Sequence, residues 1–215
     1  MSSHEGGAGG APGGPAREAK VSLRRARRAI RRLRADAVDA AGSVGAAERA
    51  AAATALASAV LALVSEEGRA GGEPRRRWRV AAYESTRVEP PTEALRAALR
   101  AAGHEVLLPV TNADLTLDWR LDGDPDERLL GAAGLATCDL VLTPGLVVDG
   151  SGMRLGQGGG CYDGALPYVR PGVEVLTILW DDELVDDPVP SEPHDRRVDG
   201  VVTPGRGVVQ MPSQA

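Results

Sequence analysis

Large apolar residues are thinly spread over the first forty positions and closely spaced afterwards, and the two regimes predict different elements. From Arg17 to about Ala40, Val21, Leu23, Ile30 and Leu33 stand among arginines, the pattern of a very basic helix. A second helix is expected from about Ser43, a residue type that caps helix N-termini, to Glu67, with Leu56, Val60, Leu61 and Val64 at helical spacing. The run GRAGGEPRRR is a loop, and Trp78–Tyr83 reads as the first strand. Glu93–Ala102 reads as a helix ended by Gly103, and Glu105–Val110 as a second strand, which makes a βαβ unit and a parallel pair. Leu115–Arg120 adds another strand, while residues 121–134 are polar and glycine-rich. Cys138–Thr143, extended by Leu146–Asp149, has the short continuous apolar pattern of a buried parallel strand. A helix from about Tyr162 to Val169, cut by Pro167, precedes the buried strand Val173–Trp180, and Gly200–Thr203 is the last strand. The alternation predicts an α/β protein: a three-layer αβα sandwich with a mainly parallel sheet and an N-terminal helical pair. Ligand groups are expected at the carboxyl ends of the strands. Residues 1–15 read as a disordered tail, 16–205 as a single α/β domain and 206–215 as a flexible C-terminal tail.

Composition narrows the class. With 215 residues the chain can bury a sizeable core, but aromatics are 3% and Phe is absent, so that core is built from Leu, Val and Ala. The net charge of −5 speaks against wholesale nucleic-acid binding. Two cysteines, Cys138 and Cys161, make no disulfide framework and fit a reducing cytosol. The N-terminal residues lack the basic start and apolar core of a signal peptide, and Ala50–Val64 reads as too short and Ala-rich to span a bilayer. The expectation is a cytoplasmic, monomeric protein with no membrane and no nucleic-acid partner.

The chemistry concentrates in RLGQGGGCYD, Arg154 to Asp163. Gly156, Gly158, Gly159 and Gly160 let backbone approach a ligand and aim a row of N–H groups at phosphate oxygens. Arg154 supplies a cation and Asp163 a hard oxygen ligand for Mg²⁺. The loop lacks a Gly-Lys-Ser/Thr ending and the spacing of a dinucleotide fingerprint, so it belongs to neither common phosphate motif. Taken alone, it is also compatible with a glycine-rich surface turn. Three other stretches join it. Lys20 and Arg24 in AKVSLR lie one helical turn apart and share a face that suits a polyphosphate. YESTRVEPPT, Tyr83 to Thr92, places Glu89 after the first strand, where a carboxylate can take the N–H groups of a heterocycle. SEPHD, Ser191 to Asp195, precedes the last strand.

Together, in this order, the four stretches resemble the 5-formyltetrahydrofolate cyclo-ligases, also called 5,10-methenyltetrahydrofolate synthetases. The likeness runs from about Ala19 to Gly205 and is strongest over PGLVVDGSGMRLGQGGGCYD and DDELVDDPVPSEPHDRRVDGVVTP. It implies a three-layer αβα fold and an ATP- and Mg²⁺-dependent reaction. In that reaction 5-formyltetrahydrofolate becomes 5,10-methenyltetrahydrofolate, with ADP and phosphate released through an iminium phosphate. By resemblance, Lys20, Arg24, Arg154, Leu155, Gly156, Gln157, Gly158, Gly159, Gly160, Cys161 and Tyr162 would bind ATP. Glu84, Glu89, Gln157, Gly158, Gly159, Gly160 and Cys161 would border the folate, with Tyr83 also at the pterin. Arg154, Gly158, Gly160 and Asp163 would carry catalysis, and Asp163 and Asp195 would ligate Mg²⁺. None of His4, His104 and His194 is needed as a base, because ATP activates the substrate directly.

Three features depart from the family pattern. Cys161 stands where the signature has its first Tyr, and Gly164 where Arg is usual. Between Leu115 and Ala136, LDGDPDERLLGAAGL replaces a Gly-Ile/Leu-x-Glu-Pro stretch. Two other readings stay open on sequence alone. One is a non-catalytic nucleotide- or folate-binding relative. The other is a nucleic-acid binder using the eight arginines from Arg17 to Arg34. Those arginines are otherwise expected to form a solvated face that pairs with the carboxylates around Asp181 to Asp187.

Overall fold

The computed structural model describes residues 14–67, 76–193 and 195–212. The tail through residue 13 with His4, the stretch 68–75 and His194 lie outside the described residues. Helix α1 (Pro15–Ala40) and helix α2 (Ser43–Glu67) form the N-terminal pair. Pro15 opens α1, where its missing N–H has no helical partner to lose. Strand β1 (Arg79–Ala81), helix α3 (Glu93–Ala101) and strand β2 (Glu105–Thr111) make the expected parallel βαβ unit, with Val80 opposite Val106. Strand β3 (Leu117–Leu121) turns back antiparallel on β2. Then follow β4 (Leu140–Pro144), β5 (Val147–Asp149), β6 (Arg154–Leu155), helix α4 (Cys161–Ala165), β7 (Glu174–Ile178), β8 (Leu184–Val185), β9 (Gly200–Thr203) and β10 (Gly207–Gln210).

Seven strands form the main sheet in the order β10-β9-β7-β4-β1-β2-β3. The five inner strands are parallel, and β3 and β10 close the two edges antiparallel. Alternate residues of the inner strands feed opposite cores. Val80, Ala82, Leu140, Leu142, Leu176 and Ile178 pack with Leu56, Val60 and Val64 of α2 and with Leu95 and Leu99 of α3. Ala81, Leu107, Val141 and Val175 pack the other way, with Trp119, Leu135, Ala165 and Leu166. The fold is therefore α/β with helices on both faces of a mainly parallel sheet.

Five local expectations change. Leu146–Asp149 does not prolong β4. The chain leaves the main sheet at Gly145, where a Cβ would come within 2.6 Å of Thr177, and Val147–Asp149 joins a small sheet in the order β6-β5-β8. The helix expected over 162–169 is a single turn, α4, followed by a 3₁₀ turn at Leu166–Tyr168, because Pro167 cannot donate to a continuing ladder. Residues 207–210, read as part of a flexible tail, pair with β9, with Val208 opposite Val202. The apolar stretch of α2 is longer than read: Ser43–Ser65 could cross a membrane by length and composition, yet Leu56, Val60 and Val64 lie in the core. Finally, α1 turns its basic face inward. Lys20 and Arg31 are buried, while Val21, Ile30 and Leu33 are exposed.

Candidate active site

The glycine loop leaves β6, passes Gly156 to Gly160 and enters α4. Gly158 and Gly160 have φ of 104° and 72°, conformations that a side chain would strain. Leu155, at its start, is fully buried beside Val147, Met153 and Val189, so its side chain anchors the loop in a small core of its own. Arg154 straps the loop closed. Its Nη2 donates to Asp163 Oδ1 at 2.6 Å and its Nη1 to the Pro144 carbonyl at 3.1 Å, at the carboxyl end of β4. The guanidinium carbon sits 6.0 Å from the Tyr162 ring, which in turn meets Trp119 edge-on at 6.4 Å. The expected cation of the loop is therefore buried and paired, and the carboxylate beside it remains 30% exposed.

Helix α1 lies across this loop, held by charge. Lys20 Nζ meets Asp195 Oδ2 at 2.5 Å and Glu192 Oε2 at 2.8 Å, with 3% of its side chain exposed. Burial alone would lower the Lys20 pKa; the two carboxylates outweigh it and raise the pKa, so the ammonium stays charged. One turn on, Arg24 Nε donates to the Gly156 carbonyl at 3.1 Å. The next turn brings Arg28, whose guanidinium donates to the Gln157 carbonyl and, at 3.3 Å, to its side-chain Oε1. Arg31 closes a buried two-pronged pair with Glu183, both bonds 2.6 Å, and also donates to the Gly145 carbonyl at 2.5 Å. The expected pairing of α1 with the 181–187 carboxylates thus exists, but at Arg31 it is buried rather than solvated.

On the other side of the loop, Gln157 Nε2 donates to Glu89 Oε1 at 3.4 Å, and Thr86 donates its N–H and hydroxyl to Glu89 Oε2. The hydroxyls of Tyr83 and Tyr162 are buried without hydrogen-bond partners among the described residues. Burial first, then the Glu89 charge, push the Tyr83 phenol well above its ordinary value, so it remains a neutral donor. Glu84 points elsewhere, 3.5 Å from both Arg96 and Arg120. A cavity of about 330 Å³ opens between Gly159, Gly160 and Cys161 on the loop and Leu115 and Thr116 of the β2–β3 turn. His104 is remote, at the amino ends of β1 and β2, where its Nδ1 accepts the Trp78 N–H at 3.2 Å.

The structure thus joins Lys20 to Asp195, Arg24 to Gly156, Gln157 to Glu89 and Arg154 to Asp163. Asp163 and Asp195, the two carboxylates the resemblance gives to Mg²⁺, each close an ion pair with a different cation. Among the described residues, no group of three or more His, Cys, Asp and Glu could hold a metal ion. Asp195 Oδ2 also takes the Glu192 N–H at 2.6 Å, so it braces its own loop. Arg28, Arg31 and Glu183 were not singled out from sequence. The signal for Arg28 was present, since it continues the Lys20–Arg24 stripe at i+8. Glu183 belongs to the 181–187 carboxylates expected to pair with these arginines, but only the tertiary fold decides that it meets Arg31 and is buried under α1.

Residues 16–204 match the model of the 5-formyltetrahydrofolate cyclo-ligase family. The chain belongs to that family. A 5-formyltetrahydrofolate cyclo-ligase of Mycolicibacterium smegmatis is 36% identical over 149 residues, 61% of this chain and 76% of the relative. The 5,10-methenyltetrahydrofolate synthetase of Mycoplasma pneumoniae superposes with a TM-score of 0.62 at 16% identity, covering 83% of this chain and 98% of that one. The Aquifex aeolicus 5,10-methenyltetrahydrofolate synthetase gives 0.53 at 16% identity, covering 93% and 94%. Set against the cyclo-ligase signature, the departures converge in space. Cys161, Gly164 and, from the departing stretch, Ala132 all line the cavity beside the glycine loop.

Proposed function

We propose that the protein is an ATP- and Mg²⁺-dependent 5-formyltetrahydrofolate cyclo-ligase that releases 5,10-methenyltetrahydrofolate, ADP and phosphate. The observation that carries this reading is the glycine loop itself, held by Arg24 of α1 at Gly156, meeting Glu89 at Gln157, and bordering a cavity at Gly159 and Gly160. A formamide carbonyl is a poor electrophile and oxide a poor leaving group. Attack of the formyl oxygen on the γ-phosphorus of ATP, with ADP leaving, corrects both. The neighbouring folate nitrogen then adds to the activated carbon and loses its proton, and phosphate departs with the C–O bond.

The protein's part is to position and to balance charge. Loop N–H groups from Gly156 to Gly160, with Lys20 and Arg24, would hold the triphosphate. Glu89 would accept N–H groups of the pterin, and the buried Tyr83 and Tyr162 hydroxyls are donors available to it. Mg²⁺, when bound, neutralises phosphate charge. Hard carboxylate oxygens suit it, and a Mg²⁺ site needs only one or two of them beside phosphate oxygens and waters. The partly exposed Asp163 fits that role, and Asp195 would join it only by releasing Lys20.

The test is absorbance at the methenyl-folate band with 5-formyltetrahydrofolate, ATP and Mg²⁺. A rise that requires all three components supports the reading; no rise with folate and nucleotide both bound overturns catalysis. That second outcome would favour a non-catalytic binder, the reading that Cys161 and Gly164 in the cavity wall support.

A further inference from the structure

We propose that Gln157, parked by Arg28, stands in for the folate on Glu89 in the ligand-free protein, and that this contact couples nucleotide binding to folate binding. The inference rests on the reading of Glu89 as the folate's acceptor. Three observations lead to it. Glu89 is 6% exposed, so a ligand cannot reach its carboxylate in this conformation. Its Oε2 is taken by Thr86, and its Oε1 receives an amide –NH₂ from Gln157, the same kind of donor a pterin would offer. Gln157 itself is an exposed residue of the glycine loop, held by Arg28 at both its carbonyl and its side-chain oxygen.

The 3.4 Å bond between Gln157 and Glu89 is long, so it blocks without binding tightly. Gln157 lies between Gly156 and Gly158, inside the segment whose N–H groups would close on a triphosphate. Arg24 and Arg28 grip the carbonyls of Gly156 and Gln157, and a polyphosphate competes for both guanidiniums. Nucleotide would therefore draw the cations off the loop, release Gln157 and uncover Glu89. A folate that binds only the uncovered form has an apparent affinity reduced by the fraction of protein in that form. Arg28 and Gln157 are positioning residues in this scheme, and the effect of removing them has an unusual sign.

The experiment is titration of 5-formyltetrahydrofolate, with and without a non-hydrolysable ATP analogue and Mg²⁺, into wild type, Arg28→Ala and Gln157→Ala. In wild type the analogue should tighten folate binding by about fivefold or more. Without nucleotide, both variants should bind folate more tightly than wild type, by about threefold or more, and the nucleotide effect should shrink. Arg28→Lys, which keeps a cation but not the fork, should fall between wild type and Arg28→Ala. Folate binding that is unchanged or weaker in both alanine variants overturns the proposal, since that is what a supporting contact would give. Absence of folate binding in every protein, nucleotide present, would overturn the Glu89 reading itself, so the two failures are distinguishable.

Discussion

Arg154 and Asp163 show how far a single contact can be read. The pair is short, 2.6 Å, and joins a buried guanidinium to a carboxylate that solvent still reaches. Asp163→Ala should reduce turnover at least about a hundredfold, the scale of losing one charge-stabilising group, and should also lower the melting temperature, because it leaves the buried Arg154 guanidinium without its carboxylate. Arg154→Ala should abolish turnover as well, and its bond to Pro144 means that some stability goes with it. Melting curves beside initial rates separate the two effects. The cysteines give a second test at this scale. Burial pushes the Cys138 thiol up to about 12, so it is neither accessible nor ionised at neutral pH, whereas Cys161 is partly exposed on the cavity wall. Alkylation followed by mass spectrometry should label Cys161 in the native protein and Cys138 only after denaturation. Labelling of Cys138 in the folded protein would show that the sheet opens more readily than its packing implies.

Among the elements, α1 behaves unlike an ordinary amphipathic helix. It is 26 residues long, and only Lys20, Arg31 and Ala35 are buried. The hydrophobic effect therefore contributes little to its docking, and ion pairs and bonds to carbonyls do most of the work. Breaking the buried Arg31–Glu183 pair by Glu183→Leu should cost about 3–5 kcal/mol, because it strands a charge. Adding Arg31→Leu should recover most of that, as measured by a denaturant double-mutant cycle. A second device acts on the loop that carries Asp195. Asp149 bonds Ser151, Met153 and, across 40 positions, the Val189 N–H. Burial would raise its pKa, but the Ser151 hydroxyl and the three amides outweigh that and hold it below the ordinary carboxylate value. Its folded pKa is depressed, so its contribution is complete above the ordinary Asp value near 4 and is lost as pH falls through the lower folded value. Asp149→Asn should flatten this acid limb, seen as a smaller drop in melting temperature between about pH 5 and pH 3.

For the molecule as a whole, the site is built from parts that meet only at the carboxyl ends of the strands. The loop after β6, the segment after β1 and the residues Glu192 and Asp195 are bridged by α1. A nucleotide that binds across them stabilises the fold by mass action, about 2.7 kcal/mol at a hundredfold excess over its Kd. Thermal shift with Mg²⁺ and a non-hydrolysable ATP analogue should raise the melting temperature of wild type, and much less that of Lys20→Ala. An equal shift in both proteins would place the nucleotide away from α1.

Local order explains why so much was legible in the chain. The βαβ unit, the buried strands and the glycine loop are short contiguous patterns whose period or composition follows from local sterics and burial, so Val80–Ala82 or Gly156–Gly160 can be read where they stand. The motif residues were equally readable, because their identities and order along the chain need no coordinates. What they touch was not. Arg154 reads as a ligand-binding cation and is buried against Asp163; Lys20 reads as facing phosphate and lies between Asp195 and Glu192. The inward basic face of α1 depends on carboxylates up to 175 positions away, and Glu183 and Gly145 reach Arg31 only after the sheet has assembled. Strand 207–210 likewise exists because β9 offers it an edge. Pairings between distant charges and between strands leave no periodic trace in a sequence, since neither partner's neighbours constrain it. They are set when the packed core fixes which surfaces face each other.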